Sequence, residues 1–313
     1  MDLIVETMEK TEGFIVPVNT KWLLDLTISL THMITIFFVC YILRIACKKL
    51  LPKSSYPYVA EIICMFQLSV CSMENGTIIY PEYGVVVYAV IMFLLSAGYF
   101  IVFDANGNPC GVLTELVQRR ITPSNALSAC IKTVCTVVGG LVAIQHVNAF
   151  WSFGALTRHY DHVQHLHIPC ASAMKTTAVY GFVAEFLATF TVRFVAGLQL
   201  GGRRWHMYVF AAVIVAVTLT GAEYTGMMFN PALATVLTYN CAGHSFAEHA
   251  TIYWVSPMLA TLVAIYTVSS VKHWQKKQSI AKKAQQSQMN GEVKSQTNEP
   301  LKQRKTRKRK RYY

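Results

Sequence analysis

One polar signature occurs twice inside apolar sequence. Glu61 lies early in one hydrophobic run and is followed 47 residues later by Asn108-Pro109-Cys110; Glu185 lies in another and is followed 45 residues later by Asn230-Pro231-Ala232. A single Asn-Pro pair is an ordinary cap or turn. Two copies at matched distances from two glutamates in hydrophobic surroundings describe a duplicated unit. Each copy reads as a helix carrying a Glu, two further helices, and a short segment opened by Asn-Pro after the second. Three spans is an odd number, so the copies must be inverted relative to each other in a membrane. Inverted repeats build a pathway at their mutual interface, where broken helices meet near the bilayer midplane.

The composition agrees with a membrane chain. Of 313 residues, 53% are hydrophobic and 14% charged, against about 25% charged in soluble domains, which disfavours a soluble enzyme. Seven runs, 22–45, 56–74, 83–103, 125–150, 173–198, 205–222 and 250–271, are long enough to cross about 30 Å of hydrocarbon. Segments 108–117 and 230–239 are too short to cross and read as half-helices that enter the membrane and stop. Their Pro lies in the first turn, where a missing N–H costs nothing. The expected organisation is an N-terminal segment, 1–55, with an extra hydrophobic helix and a basic loop. A duplicated core follows over 56–271, with repeats at about 56–150 and 173–271, and then a basic, disordered tail over 272–313.

That tail holds fourteen Lys and Arg against two Glu, which equals the formal net charge of +12. Arg44, Lys48, Lys49, Lys53, Arg119, Arg120, Arg203 and Arg204 fall in loops on the same side as the tail if seven spans and two half-helices are counted, and that side should be the cytosol. The opposite side receives Asn75-Gly76-Thr77, an N-glycosylation acceptor. Met1 to Lys21 lacks the pattern of a signal peptide. The nine cysteines lie mostly within apolar runs and read as small buried hydrophobes rather than a disulfide or zinc framework.

Two half-helix N-termini facing each other expose positive dipole ends and repel cations. Asn108 and Asn230 would cap these ends through their carbonyls and offer amide N–H groups to a permeating water or hydroxyl, which interrupts a proton wire. Glu61 and Glu185 should face the interior and accept hydrogen bonds from the irregular backbone entering each half-helix.

The run Glu223-Tyr224-Thr225-Gly226-Met227-Met228-Phe229-Asn230-Pro231-Ala232 closely resembles the second signature of the aquaporin family, and Gly107-Asn108-Pro109-Cys110-Gly111 resembles the first with Cys in the place of Ala. That Cys, Cys241 nine residues past Ala232, and the extra N-terminal run resemble the unorthodox aquaporin-11 and aquaporin-12-like branch. The resemblance covers about residues 56–271. It implies an all-α membrane fold, an inverted repeat of two three-helix units with two re-entrant Asn-Pro half-helices. It also implies a passive pore for water and small uncharged solutes in a homo-oligomer, a tetramer, with an assembly or redox role for Cys241. Orthodox water-selective members place an Arg after Asn-Pro-Ala; here Leu233 stands there. Family spacing sets Tyr88, Thr218 and Met227 beside it as the other constriction residues. So apolar a lining implies passage of glycerol or hydrogen peroxide as well as water.

The same residues allow other readings. His159, His162, His165 and His167 crowd one loop at a density that metal binding or pH sensing would use, yet a solvated loop explains them without any fixed geometry. Lys302 to Arg311 suits anionic lipid on the cytosolic leaflet, or an Arg-rich endoplasmic-reticulum retention signal, better than nucleic acid. Cys110 reads as a small packing residue. An inverted-repeat secondary transporter and a nonconducting membrane assembly protein are the alternatives. No Ser/His/Asp set, phosphate-binding loop or metal motif argues for an enzyme, and no cofactor is expected.

Overall fold

A computed structural model describes residues 20–156, 159, 170–200, 202–239 and 241–309. They are helical almost throughout, with one isolated extended bridge, Ala171 to Ala242. The elements are α1 (Thr20–Leu50), α2 (Tyr56–Met73), a π-helical stretch (Glu74–Ile79), α3 (Tyr80–Val102), α4 (Pro109–Arg119), α5 (Pro123–Ser152), α6 (Ala178–Leu198), α7 (Gly202–Thr225), α8 (Pro231–Thr238), α9 (Phe246–His249), a second π-helical stretch (Ala250–Val255) and α10 (Ser256–Arg309). The chain divides into two compact units, Met1–Ala264 and Ile265–Tyr313.

Among the described residues, six helical stretches are long and apolar enough to cross a membrane. Seven runs were expected, and the difference has one cause: the second and third lie in a single helical stretch, Tyr56–Val102, of 47 residues. At 1.5 Å per residue this would measure about 70 Å, more than twice the hydrocarbon thickness. The stretch breaks at Gly84, whose φ of 75° and ψ of 179° are not helical and lie where a residue without Cβ is favoured. Contacts on both sides show a hairpin. Asn75 Nδ2 donates to Tyr88 O at 3.3 Å at one end, and the Tyr56 hydroxyl donates to Asp104 at the other.

The ends of the bundle follow from such pairs. We call the end holding Glu74 the upper end and the end holding Tyr56 and Asp104 the lower. α1 runs downward beside α2, since Ser29 meets Glu74 and Arg44 meets Gln67. α5 runs upward parallel to α2, with Tyr58 against Ser128 and Trp151 against Glu74. Its seam with α2 is close: a Cβ on Gly139 would lie 2.3 Å from Ile62 O. In lipid, helices associate through such small-residue contacts rather than through the hydrophobic effect.

The extra helix α1 is part of the bundle. Ser29, His32, Met33, Ile36, Cys40 and Arg44 are buried at three- and four-residue spacing, while Leu23, Ile34, Phe38 and Ile42 are exposed on the other side. This is the pattern of a helix with one face on protein and one on lipid. The Arg44 guanidinium reaches Gln67 Oε1 at 2.6 Å and lies 5.0 Å over the Phe103 ring.

In the second unit the chain is helical to Arg309. Its Lys, Gln, Ala, Arg and Glu are strong helix formers, and Trp274 and Ile280 are exposed.

Candidate functional site

The two Asn-Pro segments begin α4 and α8. Pro occupies the first helical position in both, and Asn is the N-cap with extended backbone. Asn108 Oδ1 accepts from Cys110 N at 2.8 Å; Asn230 Oδ1 accepts from Ala232 N at 3.2 Å and Leu233 N at 3.3 Å. The two caps are tied to each other. Asn108 Nδ2 donates to Phe229 O at 3.1 Å, and Asn230 Nδ2 donates to Gly107 O at 2.9 Å. Each amide therefore spends one N–H on the carbonyl just before the opposite motif; Asn108 keeps a second, while Asn230 Nδ2 also meets the weak acceptor Met65 Sδ at 4.0 Å.

From this junction the two helices diverge. Lys132 on lower α5 binds Glu115 of α4 at 2.7 Å, so α4 runs to the lower end. Val236 of α8 sits against Gly140 in the upper half of α5, so α8 runs upward. α4 has 11 residues and α8 has 8. End to end they measure roughly 28 Å, about one hydrocarbon thickness.

Each approach to the junction is held by one buried carboxylate. Glu61, 1% exposed, accepts from Asn106 N (3.1 Å) and Asn106 Nδ2 (3.0 Å) through Oε1, and from Gly107 N (2.8 Å) through Oε2. Glu185, fully buried, accepts from the Thr225 hydroxyl (2.8 Å) and Met228 N (2.9 Å) through Oε1, and from Phe229 N (2.8 Å) through Oε2. The two loops differ in one respect. The residue before Asn108 is Gly107 with φ 55°, while its counterpart before Asn230 is Phe229 with φ 35°, and Met227 nearby has φ 45°. Side-chain-bearing residues rarely hold this left-handed region, and it stores strain.

Pro109, Cys110, Pro231 and Ala232 are buried at the junction. Of the four constriction candidates, Thr218 is buried on α7, and Met227 folds over Gly221 one turn away on the same helix. Leu233 packs with the Met65, Ala232 and Val236 cluster, and Tyr88 stacks edge-to-face on Tyr80. Among the described residues no contact joins all four.

Three expectations need correction. Cys241 is bonded to Cys170, so one disulfide exists where the cysteines read as isolated hydrophobes. The bridge fastens the segment before α6 to the one after α8, beside the Ala171–Ala242 bridge. Asn75 is 2% exposed within the π-helical stretch, its Nδ2 bound to Tyr88 O. A glycan needs that amide free at the surface, so the acceptor sequence is not usable in the fold. His159 is not solvated: it is fully buried, with Nε2 3.1 Å from Glu74 Oε1. His162, His165 and His167 lie outside the described residues, and no His, Cys, Asp and Glu group suited to a metal occurs among the described ones.

Two features had escaped the sequence reading. Glu74, which ends the second hydrophobic run, is the centre of a buried network. It accepts from Ser29 Oγ (2.6 Å) and Trp151 Nε1 (2.9 Å), and meets His32 Nδ1 (3.3 Å) and His159. The second is Arg193, the cation two turns beyond Glu185 in the apolar helix α6.

No protein-family model matches the chain. Curated relatives do. It is 27% identical over 243 residues to aquaporin-11 of Milnesium tardigradum, covering 77% of this chain and 86% of that protein. It is 25% identical to aquaporin-11 of Rattus norvegicus (80% of this chain, 92% of the relative) and 25% identical to aquaporin-12 of Mus musculus (77% and 84%). With its helical bundle and several membrane-capable helices, this is a multi-pass integral membrane chain similar, over 77–80% of its length, to aquaporin-11 and aquaporin-12, the unorthodox branch of the aquaporins.

Proposed function

We propose that the chain is a passive transmembrane pore for water and small uncharged solutes, with its waist at the Asn108–Asn230 junction. The observation that carries this reading is the reciprocal amide tie between two opposed helix N-termini. Each N-terminus contributes roughly half a positive charge, so the waist opposes cations; Asn108 has one N–H left to donate to a permeant oxygen, and that of Asn230 meets only the weak acceptor Met65 Sδ, which a permeant oxygen would displace. A water held by two donors there cannot relay a proton onward. Leu233 in the place of an Arg, with Met227 beside α7, supports a lining that admits glycerol or hydrogen peroxide.

Sidedness is supported by two independent features. Lys48, Lys49, Arg119 and Arg120 end helices at the lower end, which favours the cytosol there. The Cys170–Cys241 bridge lies at the upper end and belongs in an oxidising compartment, lumenal or external. The basic tail then lies in the cytosol, where it meets anionic lipid or serves endoplasmic-reticulum retention. A tetramer, each copy with its own pore, is the assembly we infer.

The test is stopped-flow light scattering on proteoliposomes, comparing wild type with Asn108→Asp plus Asn230→Asp, which keeps the shape of both caps and removes both amide ties. Non-saturating flux of low activation energy that the double variant loses supports the pore. Saturable, gradient-driven uptake would establish a transporter, and vesicles matching empty ones for water, glycerol and peroxide would favour a nonconducting assembly protein.

A further inference from the structure

Arg44, Lys132 and Glu74 each find polar partners inside the bundle. Arg193 does not: among the described residues no hydrogen bond or ion pair reaches it, and its Nε is buried with no acceptor. It stands two turns beyond Glu185 on α6, at the edge of the face that buries Ala188, Thr189 and Val192. Helical side chains lean toward the N-terminus of their helix, so the guanidinium is directed from the lower half of α6 back toward the Asn-Pro junction. Consistent with this, it lies within electrostatic range of Cys110, the buried second residue of α4. The residue as a whole is neither fully buried nor fully exposed. An unpaired guanidinium is expensive in hydrocarbon, and such cations face the bundle interior or a water-filled path.

We propose that Arg193 is the fixed cation of the pore, facing the permeant on the lower side of the junction. There it repels cations and donates hydrogen bonds to neutral solutes, the two tasks that Leu233 cannot perform on the upper side. The inference rests on the pore reading and adds the residue that sets its selectivity. A guanidinium offers a planar fork of donors, which matches solutes with adjacent oxygens, such as small polyols and hydrogen peroxide.

The experiment uses the full chain in proteoliposomes, with water, glycerol and peroxide flux read beside potassium and proton leak. Arg193→Met should keep water flux within about threefold of wild type while raising cation leak about tenfold or more and lowering the glycerol-to-water ratio. Arg193→Met with Leu233→Arg should return the leak toward wild type. Arg193→Cys supplies a readout that does not depend on flux. In liposomes it should take one more aminoethyl methanethiosulfonate adduct by mass than wild type, and the cationic adduct should restore cation exclusion. An Arg193→Met protein that conducts and stays as tight to cations as wild type, with the same solute ranking, overturns the inference alone. So does an Arg193→Cys protein that gains no adduct, including when Arg193→Met does not fold. A wild type that conducts nothing above empty vesicles overturns the pore reading, and this inference with it.

Discussion

Glu61 and Glu185 hold equivalent loops, yet replacing them should have opposite balances of effect. In Glu185→Gln one carboxylate oxygen becomes an NH2 group, so one of the bonds from Met228 N or Phe229 N is lost and two donors face each other. Glu61→Gln does the same to Asn106 N or Gly107 N. A charged hydrogen bond contributes about 1.5–3 kcal/mol and an orphaned buried N–H costs about 1–3 kcal/mol, giving about 2.5–6 kcal/mol for either change. The difference lies in strain. Met227 and Phe229 hold φ of 45° and 35° without being glycine, each storing on the order of 1–3 kcal/mol. The first loop takes its left-handed turn at Gly107, which stores none. Once Glu185 loosens its grip, the second loop relaxes and recovers part of that strain. Its Phe229 carbonyl then leaves the position in which it accepts from Asn108. Glu185→Gln should therefore lose about 1–3 kcal/mol less stability than Glu61→Gln and more of the water flux. Denaturant unfolding in detergent gives the first quantity, and light scattering on vesicles the second. Phe229→Gly in the Glu185→Gln background should recover flux, since Gly holds the turn unaided. A Glu185→Gln protein that is the less stable of the two and conducts normally would refute the reasoning.

The disulfide and the glycan are tested together on the same sample. Cys170 and Cys241 are 71 residues apart, so opening the bridge by Cys170→Ser should cost about 4 kcal/mol by chain entropy. That cost appears as a lower unfolding midpoint that reductant cannot lower further; nine reactive thiols in unreduced, denatured wild type would count against the bridge. Asn75 should carry no sugar, so glycosidase treatment leaves the electrophoretic mobility of wild type unchanged and equal to that of Asn75→Gln.

Much of the architecture was legible because it is written in short range. Paired Glu and Asn-Pro spacings announce the duplication, and apolar runs announce the helices, since lipid demands both a minimum length and internal hydrogen bonding. What stayed hidden depends on long-range closure. Asn75 reads as the tip of a hairpin, which commonly is exposed; here π-helical backbone carries it inward to Tyr88 and carries Glu74 inward to Trp151 and His159, about eighty residues away in sequence. Cys170 and Cys241 lie in different connections, and nothing local says that α6 and α8 bring them together. Arg193 is a lone cation in an apolar run, and only three-dimensional placement separates a pathway residue from one that pairs.

Helix α1 has a consequence for how the protein is made. Its polar side chains find partners that are synthesised later: Gln67 comes 23 residues after Arg44, and Glu74 comes 45 residues after Ser29 and 42 after His32. A nascent α1 alone in lipid would leave a guanidinium unpartnered, at about 2.5–3.5 kcal/mol if it sat near the bilayer centre. Helix α1 is thus poorly suited to settle by itself before its partners are made. Its retention in the translocation machinery until α2 and the π-helical stretch arrive would let the three enter the bilayer as one unit, and truncation of the nascent chain before residue 67 would leave α1 open to extraction.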